Sequence, residues 1–432
     1  MLYVKELKNK YDVDIIVVGG GPAGIAASVA ASRMGKSVLL VESSGSFGGM
    51  GTIGLVPLMA PFDDGVNVVA SGIGYEIRKN ISKHTPLDSY WTPLALEELK
   101  REYDRILTEE HVQLSLFTTL CDAICEGSVI QGIVLSAKSG MFTAKAKIYI
   151  DCTGDGDLCA YGGGKYLVGD ENHQVMPQTL CSLWANLDEN MEEPQDQNQW
   201  ISAAYANGIL SQEDHHLPGI RIYGKGVGGG NVGHIYNTDP LDEVSLTKAM
   251  ITGRKSIAEY QNYYNTYVNG CQNAVLCTTA PVLGVRESRR IVCDYMLNIE
   301  DFKKRAIFED EIGRYCYPVD IHVDSTNKVA YEKFSDEYNN TYRYGKGESY
   351  GIPYRSLVPV SFDNVLVAGR CIGTDRAMQA SVRVMPGCYI TGQAAGVAAS
   401  FASESGNVRN VRVNQIQNTL LSMGAYLPNC KQ

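Results

Sequence analysis

The chain has 432 residues, 44% of them hydrophobic, which is length enough for two or three domains with sizeable cores. A formal net charge of -10 leaves no excess of Lys and Arg to neutralise phosphates and argues against non-specific nucleic-acid binding. The sequence lacks the run of roughly 18 to 20 apolar residues that a spanning helix needs and has no apolar secretory core near its N-terminus, so the expectation is a cytoplasmic protein with no membrane contact.

Asp14–Val18 is apolar, mostly β-branched and ends at glycine, which predicts a short buried strand. Gly19, Gly21 and Gly24 follow at G-x-G-x-x-G spacing: the first permits a tight turn, the second lets backbone approach a pyrophosphate, and the third lets a helix pack on the strand. Pro22 and Ala23 open the predicted helix, which runs through Ile25–Met34 with its N-terminal amides aimed at the phosphates. Ser37–Val41 is a second strand, and Glu42, with Ser43 beside it, stands where an acid accepts hydrogen bonds from a ribose. A carboxylate there repels a 2′-phosphate and favours FAD or NAD over NADP. The bare glycine spacing also fits from Gly49, Gly224 and Gly228, but none of these has a strand before it, a helix after it and an acid in register.

Gly45–Thr52 is a glycine-dense loop that either lies along a cofactor or is merely a flexible connection; Gly48, Gly49, Met50, Gly51 and Thr52 are its candidate contacts. Irregular chain from Pro57 to Tyr90 holds a predicted helix over Ser71–Ile81, and Pro93–Glu110 predicts an amphipathic one. Val112–Ile150 alternates apolar and polar residues through short strands broken at Glu126-Gly127 and Ser139-Gly140, the pattern of an antiparallel meander, and Leu120 on it joins the cofactor set. The last strand runs into Thr153, Gly154 and Asp155; these either face the adenosine side of a cofactor or, in the case of Asp155 and Asp157, cap the next helix.

Asn186–Gln199 is a polar, acidic boundary loop, and Gly224–Gly233 is preferred as a loop over a second nucleotide site. Leu241–Val268 predicts a long helix whose Tyr260, Tyr263, Tyr264 and Tyr267 form a packed or subunit-facing surface, leaving a homo-oligomer open. Arg286, Arg289 and Arg290 crowd five positions; they hold an anion or make structural ion pairs with neighbours such as Glu287. Val319–Val323 is strand-like, and Ile352–Pro359 returns the chain to the first domain. Asp363–Arg370 is a second buried strand. Met385, Pro386 and Gly387 then open an Ala- and Gly-rich helix whose free amides point at negative charge. The twelve cysteines contain no C-x-x-C pair, so no metal site or iron–sulfur cluster is expected.

The fingerprint, the Thr153-Gly-Asp-Gly156 strand end, Arg286-Glu-Ser-Arg-Arg290 and Val367-Ala-Gly-Arg370 with its C-terminal helix together resemble the FAD-dependent oxidoreductases of the glutathione-reductase-like fold, related to the flavin subunits of fumarate and heterodisulfide reductases. The resemblance implies an α/β protein with a Rossmann-like FAD-binding domain, an antiparallel meander and an inserted α+β cap. Residues 1–60, 103–185 and 355–432 would form the FAD domain, 61–102 a cap segment and 186–354 the substrate domain. It also implies FAD as redox centre. Where many relatives carry Gly-Asp this chain has Gly369-Arg370, so Arg370 or Asp375 is the expected contact. The cysteine clusters of heterodisulfide reductases are missing, so their chemistry is not carried over.

The activity expected is hydride transfer between flavin N5 and a small polar or anionic substrate, with Arg286, Arg289 and Arg383 as anion holders and Tyr354 or His234 as proton-transfer candidates. A transient electron partner would complete turnover. The rivals are a non-redox flavoenzyme of isomerase or hydratase type and a flavin electron-transfer subunit.

Overall fold

The computed structural model describes residues 4–81, 90–191 and 197–430, so parts of the stretches 57–90 and 186–199 lie outside the described residues. β1 (Asn9–Val18) is longer than its apolar half because Asn9–Val13 pair with a neighbouring strand on the solvated side of the sheet. α1 (Pro22–Arg33) follows the glycine turn with Ala23 through Ala31 all buried, and β2 (Val38–Val41) returns parallel to β1. Helix Ile73–Ile81 forms within the expected span 71–81, and Leu96–Glu109 where amphipathic spacing predicts one.

β3 (Gln113–Ser115) adds parallel to β2, so the run from Val112 begins in the parallel sheet. The meander proper is β4 (Thr119–Glu126), β5 (Val129–Ala137) and β6 (Gly140–Asp151). β6 is the strand the fold divides on. Its outer part, around Met141–Ala144, pairs antiparallel with β5, while Ile148–Asp151 are buried outright, as a strand covered on both faces must be.

β7 (Ser182–Ala185), β8 (Gly219–Gly224), β9 (Val227–Asn231) and, after the long helix α2 (Glu243–Tyr267), β10 (Val275–Thr279) make a second, antiparallel sheet in the order β8-β9-β7-β10. Trp184, Ile220, Tyr260, Tyr263 and Tyr264 share its separate apolar core, so three of the four spaced tyrosines are packed inside the chain. The glycine run read as a loop is half of a β-hairpin. A Cβ on Gly230 would lie 2.6 Å from Trp184 Nε1 and one on Gly229 2.5 Å from Pro57, so these glycines admit close neighbours. Val319–Val323 is not a strand; the chain there has no regular structure.

β11 (Val365–Val367) pairs parallel with the inner end of β6, and the seven-stranded sheet has the order β3-β2-β1-β6-β5-β4 with β11 also on β6. α3 (Met385–Ser405), buried along almost its whole length, lies against α1. Contact is backbone-close: a Cβ on Gly392 or Gly396 would sit 2.1 and 2.2 Å from the carbonyl oxygens of Ala23 and Ala27. Among the described residues no helix is long and apolar enough to cross a membrane.

Candidate active site

The three fingerprint glycines differ in what surrounds them. A Cβ on Gly19, at φ +100°, would meet the Cys152 carbonyl oxygen at 2.4 Å, and one on Gly24 would stand 1.9 Å from the Gly19 carbonyl oxygen. A Cβ on Gly21 would meet nothing within 4 Å beyond its own chain neighbours and helix turn. The first and third are thus required by the chain's own packing, and the second opens onto space at the start of α1. Pro22 stands in the first turn of that helix and no side chain caps it, so its amides are left for a ligand. Glu42, half-buried, accepts the amides of Gly20 and Ser44, each at 2.8 Å, and ties β2 to the turn; Ser43 is exposed beside it.

The loop Gly48–Thr52 lies on this turn. A Cβ on Gly49 would be 3.2 Å from Gly21 Cα, and one on Gly51 2.5 Å from Met385 Sδ at the start of α3. Thr52 is buried with its hydroxyl donating to the Phe47 carbonyl at 2.7 Å, so its side chain secures the loop itself. Leu120 is buried in the main core.

At the end of β6, Thr153 Oγ1 donates to Asp151 at 2.7 Å and accepts the Asp157 amide at 2.9 Å; Thr153, rather than Asp155 or Asp157, serves the short helix that follows. Burial pushes the Asp151 carboxyl up. Arg370 clamps three segments, donating to the carbonyl oxygens of Gly154 and Val285, both at 3.0 Å, and to Asp155 at 2.6 Å. Gly369 makes this possible at φ +83°. Asp375 caps helix Arg376–Val382, one oxygen on the Met378 amide at 2.7 Å and the other on the Ile299 amide at 2.8 Å, so both its oxygens serve the scaffold.

Beyond this groove lies a cavity of about 720 Å³. Met50, Arg286, Asp320, His322, Arg370, Arg383 and Met385 are among the residues that line it. Arg286 is buried and donates to the Pro177 carbonyl at 2.9 Å, Thr179 Oγ1 at 2.8 Å and Asn231 Oδ1 at 3.2 Å. No carboxylate among the described residues bonds to it. Burial, with Arg383 adding like charge, pushes its guanidinium down to about 10, still a cation at neutral pH. Arg383 donates to the Asp320 carbonyl at 3.1 Å and reaches its carboxylate at 3.4 Å. Burial opposes ionisation of Asp320, but cationic neighbours, Arg383 among them, hold it well below the usual carboxylate range.

His234 is buried one layer behind the wall, its Nε2 2.7 Å from His322 Nδ1 and its Nδ1 2.9 Å from Asp214. His216 stacks on His322 with ring centroids 4.4 Å apart. Arg289 and Tyr354 are not brought to the cavity. Arg289 pairs with Asp157 at 2.8 Å and lies over the Tyr166 ring, because β-strand alternation turns it away from Arg290. Arg290 and Arg376 hold the fully buried Glu287 at 2.6 and 3.0 Å, so the structural ion-pair reading describes these arginines and Arg286 alone faces the cavity. The Tyr354 hydroxyl donates to the Val408 carbonyl at 2.8 Å inside the core. Sequence reasoning missed Asp214, His216, Asp320 and His322; the one available signal was that a chain with only seven His places a His pair and a lone His in polar, unpatterned stretches. Among the described residues no group of three His, Cys, Asp or Glu side chains could hold a metal ion.

A parallel sheet with a glycine cradle at its carboxyl edge, an uncapped helix start, an acid closing the next strand and a meander branching from the same sheet defines a dinucleotide-binding enzyme fold. The chain belongs to the FAD-dependent oxidoreductase family, whose model matches residues 14–420. It is accordingly an enzyme with FAD as cofactor. It is 25% identical to thiamine thiazole synthase of Methanococcus aeolicus over 224 residues, 50% of this chain and 75% of that one. Among solved structures it is similar to a geranylgeranyl bacteriochlorophyll reductase-like protein from Thermoplasma acidophilum (11% identity, TM-score 0.49, covering 96% of this chain and 83% of the other). It is also similar to the flavin-dependent brominase Bmp2 (11% identity, TM-score 0.46, covering 95% and 83%).

Proposed function

We propose that this enzyme moves a hydride, in either direction, between FAD and a small organic anion held in the cavity, as a member of the glutathione-reductase-like branch of flavoproteins related to fumarate reductase. The observation that carries the reading is Arg286, a buried cation on the cavity wall whose bonds all go to neutral oxygens. A buried charge without a counter-ion is costly, and a carboxylate ligand would complete it with a charge-assisted fork. Arg383 adds a second positive group, and Trp91, Tyr317 and Tyr338 supply apolar wall for the body of the molecule.

The open space at Gly21 fits the diphosphate of FAD, Glu42 its ribose, and Met50, Arg370 and the start of α3 the end where the cavity begins. No side chain caps α3, so its first amides favour negative charge on the adjoining ligand. When bound, FAD supplies the two-electron chemistry; the chain's residues hold the anion, orient it and keep water out. Walls drawn from both the FAD-binding segments and 186–354 support the division into an FAD domain and an inserted substrate domain. They weigh against an electron-transfer subunit without a pocket of its own. With a single dinucleotide fingerprint in the chain, the electron partner would bind transiently.

The test is an anaerobic screen of organic carboxylates against their neutral amides, read by loss of oxidised-flavin absorbance. Carboxylates should bleach the flavin, and Arg286→Gln should weaken that response about a hundredfold, the scale of a buried charge-assisted pair. Bleaching by the amides alone, or an unaltered response in the variant, would refute it.

A further inference from the structure

Three of the chain's seven histidines, His216, His234 and His322, meet behind Arg286, and with both rings of the hydrogen-bonded pair neutral the proton positions follow from their partners. Asp214 has both oxygens accepting backbone amides, from His216 at 3.1 Å and His234 at 2.8 Å, and the same carboxylate lies 2.9 and 3.0 Å from His234 Nδ1. An acceptor-only carboxylate requires that Nδ1 carry the proton. A neutral imidazole has one N–H, so His234 Nε2 is an acceptor and His322 Nδ1, 2.7 Å away, must donate to it. That uses the single N–H of His322. Its Nε2 is left bare, 3.6 Å from Asp320 Oδ2, beyond hydrogen-bond range and with two acceptors facing each other on the cavity wall.

We infer that Asp214 and His234 position His322 as the base of the cavity, and that the pair forms a relay that moves the positive charge of an accepted proton away from Arg286. This rests on the reading of the cavity as the substrate site. A hydroxyl or acidic C–H of the bound anion, at the cavity wall beside His322, loses its proton to His322 Nε2. The electron pair of the broken bond stays on the substrate, and FAD, when bound, would supply the two-electron acceptor. His322 Nδ1–H passes to His234 Nε2. At the end His322 is neutral with its proton on Nε2, and His234 is the cation against Asp214. The other groups facing the relay are His216, Asp320, Arg286 and the hydroxyls of Tyr236 and Tyr331; burial and the arginine disfavour a cation at His322, while the Asp214 carboxylate lies 2.9 Å from the far nitrogen of His234.

Histidine-labelled FAD-bound protein without substrate, studied by nitrogen–proton correlation NMR near neutral pH, tests this directly. Signals are assigned by their loss in His322→Gln and His234→Gln, or by the close contact of the His322 and His216 rings. Both His234 and His322 should appear wholly as Nδ1–H tautomers, and in His234→Gln the His322 ring should gain an Nε2–H population. A wild-type His322 protonated on Nε2, or exchanging between tautomers, overturns the inference, as does an unmoved His322 tautomer in a folded His234→Gln protein. If that variant does not fold, the wild-type tautomers decide. Since no substrate enters the measurement, its failure leaves the anion-binding reading standing, and failure of the carboxylate screen leaves the tautomers as measured.

Discussion

Replacing Gly21 and Gly24 in turn by alanine separates a ligand's need for space from the scaffold's. At Gly24 a Cβ would stand 1.9 Å from a backbone oxygen, so α1 must move off β1. Overpacking of that kind costs about 1 to 3 kcal/mol, against at most about 1 kcal/mol gained by removing glycine from a helix. Gly24→Ala should therefore lower the melting temperature with or without added FAD. Gly21 has φ -71° and ψ -176°, which alanine adopts freely, and its Cβ would meet nothing within 4 Å. Gly21→Ala should leave the chain's own stability unchanged or raise it by about 0.4 to 1 kcal/mol through the unfolded state, while obstructing a diphosphate. At a hundred times its dissociation constant FAD stabilises the folded state by about 2.7 kcal/mol, and a hundredfold weaker complex at the same concentration by only about 0.4 kcal/mol. Thermal unfolding with and without FAD, alongside the visible spectrum of each purified protein, reads the difference. A Gly21→Ala protein with full flavin content and the wild-type FAD-dependent shift would refute the placement of the diphosphate.

Three further outcomes follow from the same geometry. Glu287→Gln leaves Arg290 and Arg376 without their buried counter-charge and should destabilise by about 3 kcal/mol or more; denaturant unfolding that shifts by less than a third of that would show the ion pairs to be dispensable. Tyr354→Phe removes only the bond to Val408, so it should cost about 1 kcal/mol of stability, with substrate-dependent flavin reduction unchanged; a lost reduction rate would return Tyr354 to the chemistry. Burial and the neighbouring His234 push His216 down from 6.5 to about 4, with Asp320 and Asp214 opposing. Between those values the unfolded chain binds a proton that the folded one does not, so stability falls as pH drops from 6.5 toward 4. His216→Gln should flatten that part of the stability profile, and an equally steep profile in the variant would place the acid sensitivity elsewhere.

What the sequence made legible is what local chemistry compels. Gly19 and Gly24 are glycines because carbonyl oxygens occupy the space a side chain would take, and such a need is written as spacing within one strand, turn and helix. The meander declared itself by alternation, and α3 by small residues that its contact with α1 demands. Chemistry assembled from distant segments left no such trace. Asp214 lies in chain between the boundary loop and the glycine run that carries no motif, His234 directly follows the glycine run, and Asp320 and His322 belong to a stretch with strand-like composition but no strand partner. Nothing in the spacing of Arg286, Arg289 and Arg290 tells which of them faces inward; that is settled by Glu287, whose buried carboxylate recruits Arg290 and the remote Arg376. Glu287 thereby fixes the segment's rotation, and the carbonyl of Arg286 is held by Gln379 while its amide is held by Gln178. The candidate substrate arginine is therefore aimed by two neutral amides and a neighbouring ion-pair cluster. Its own charge stays uncommitted, the condition an anion-binding side chain must meet before a ligand arrives.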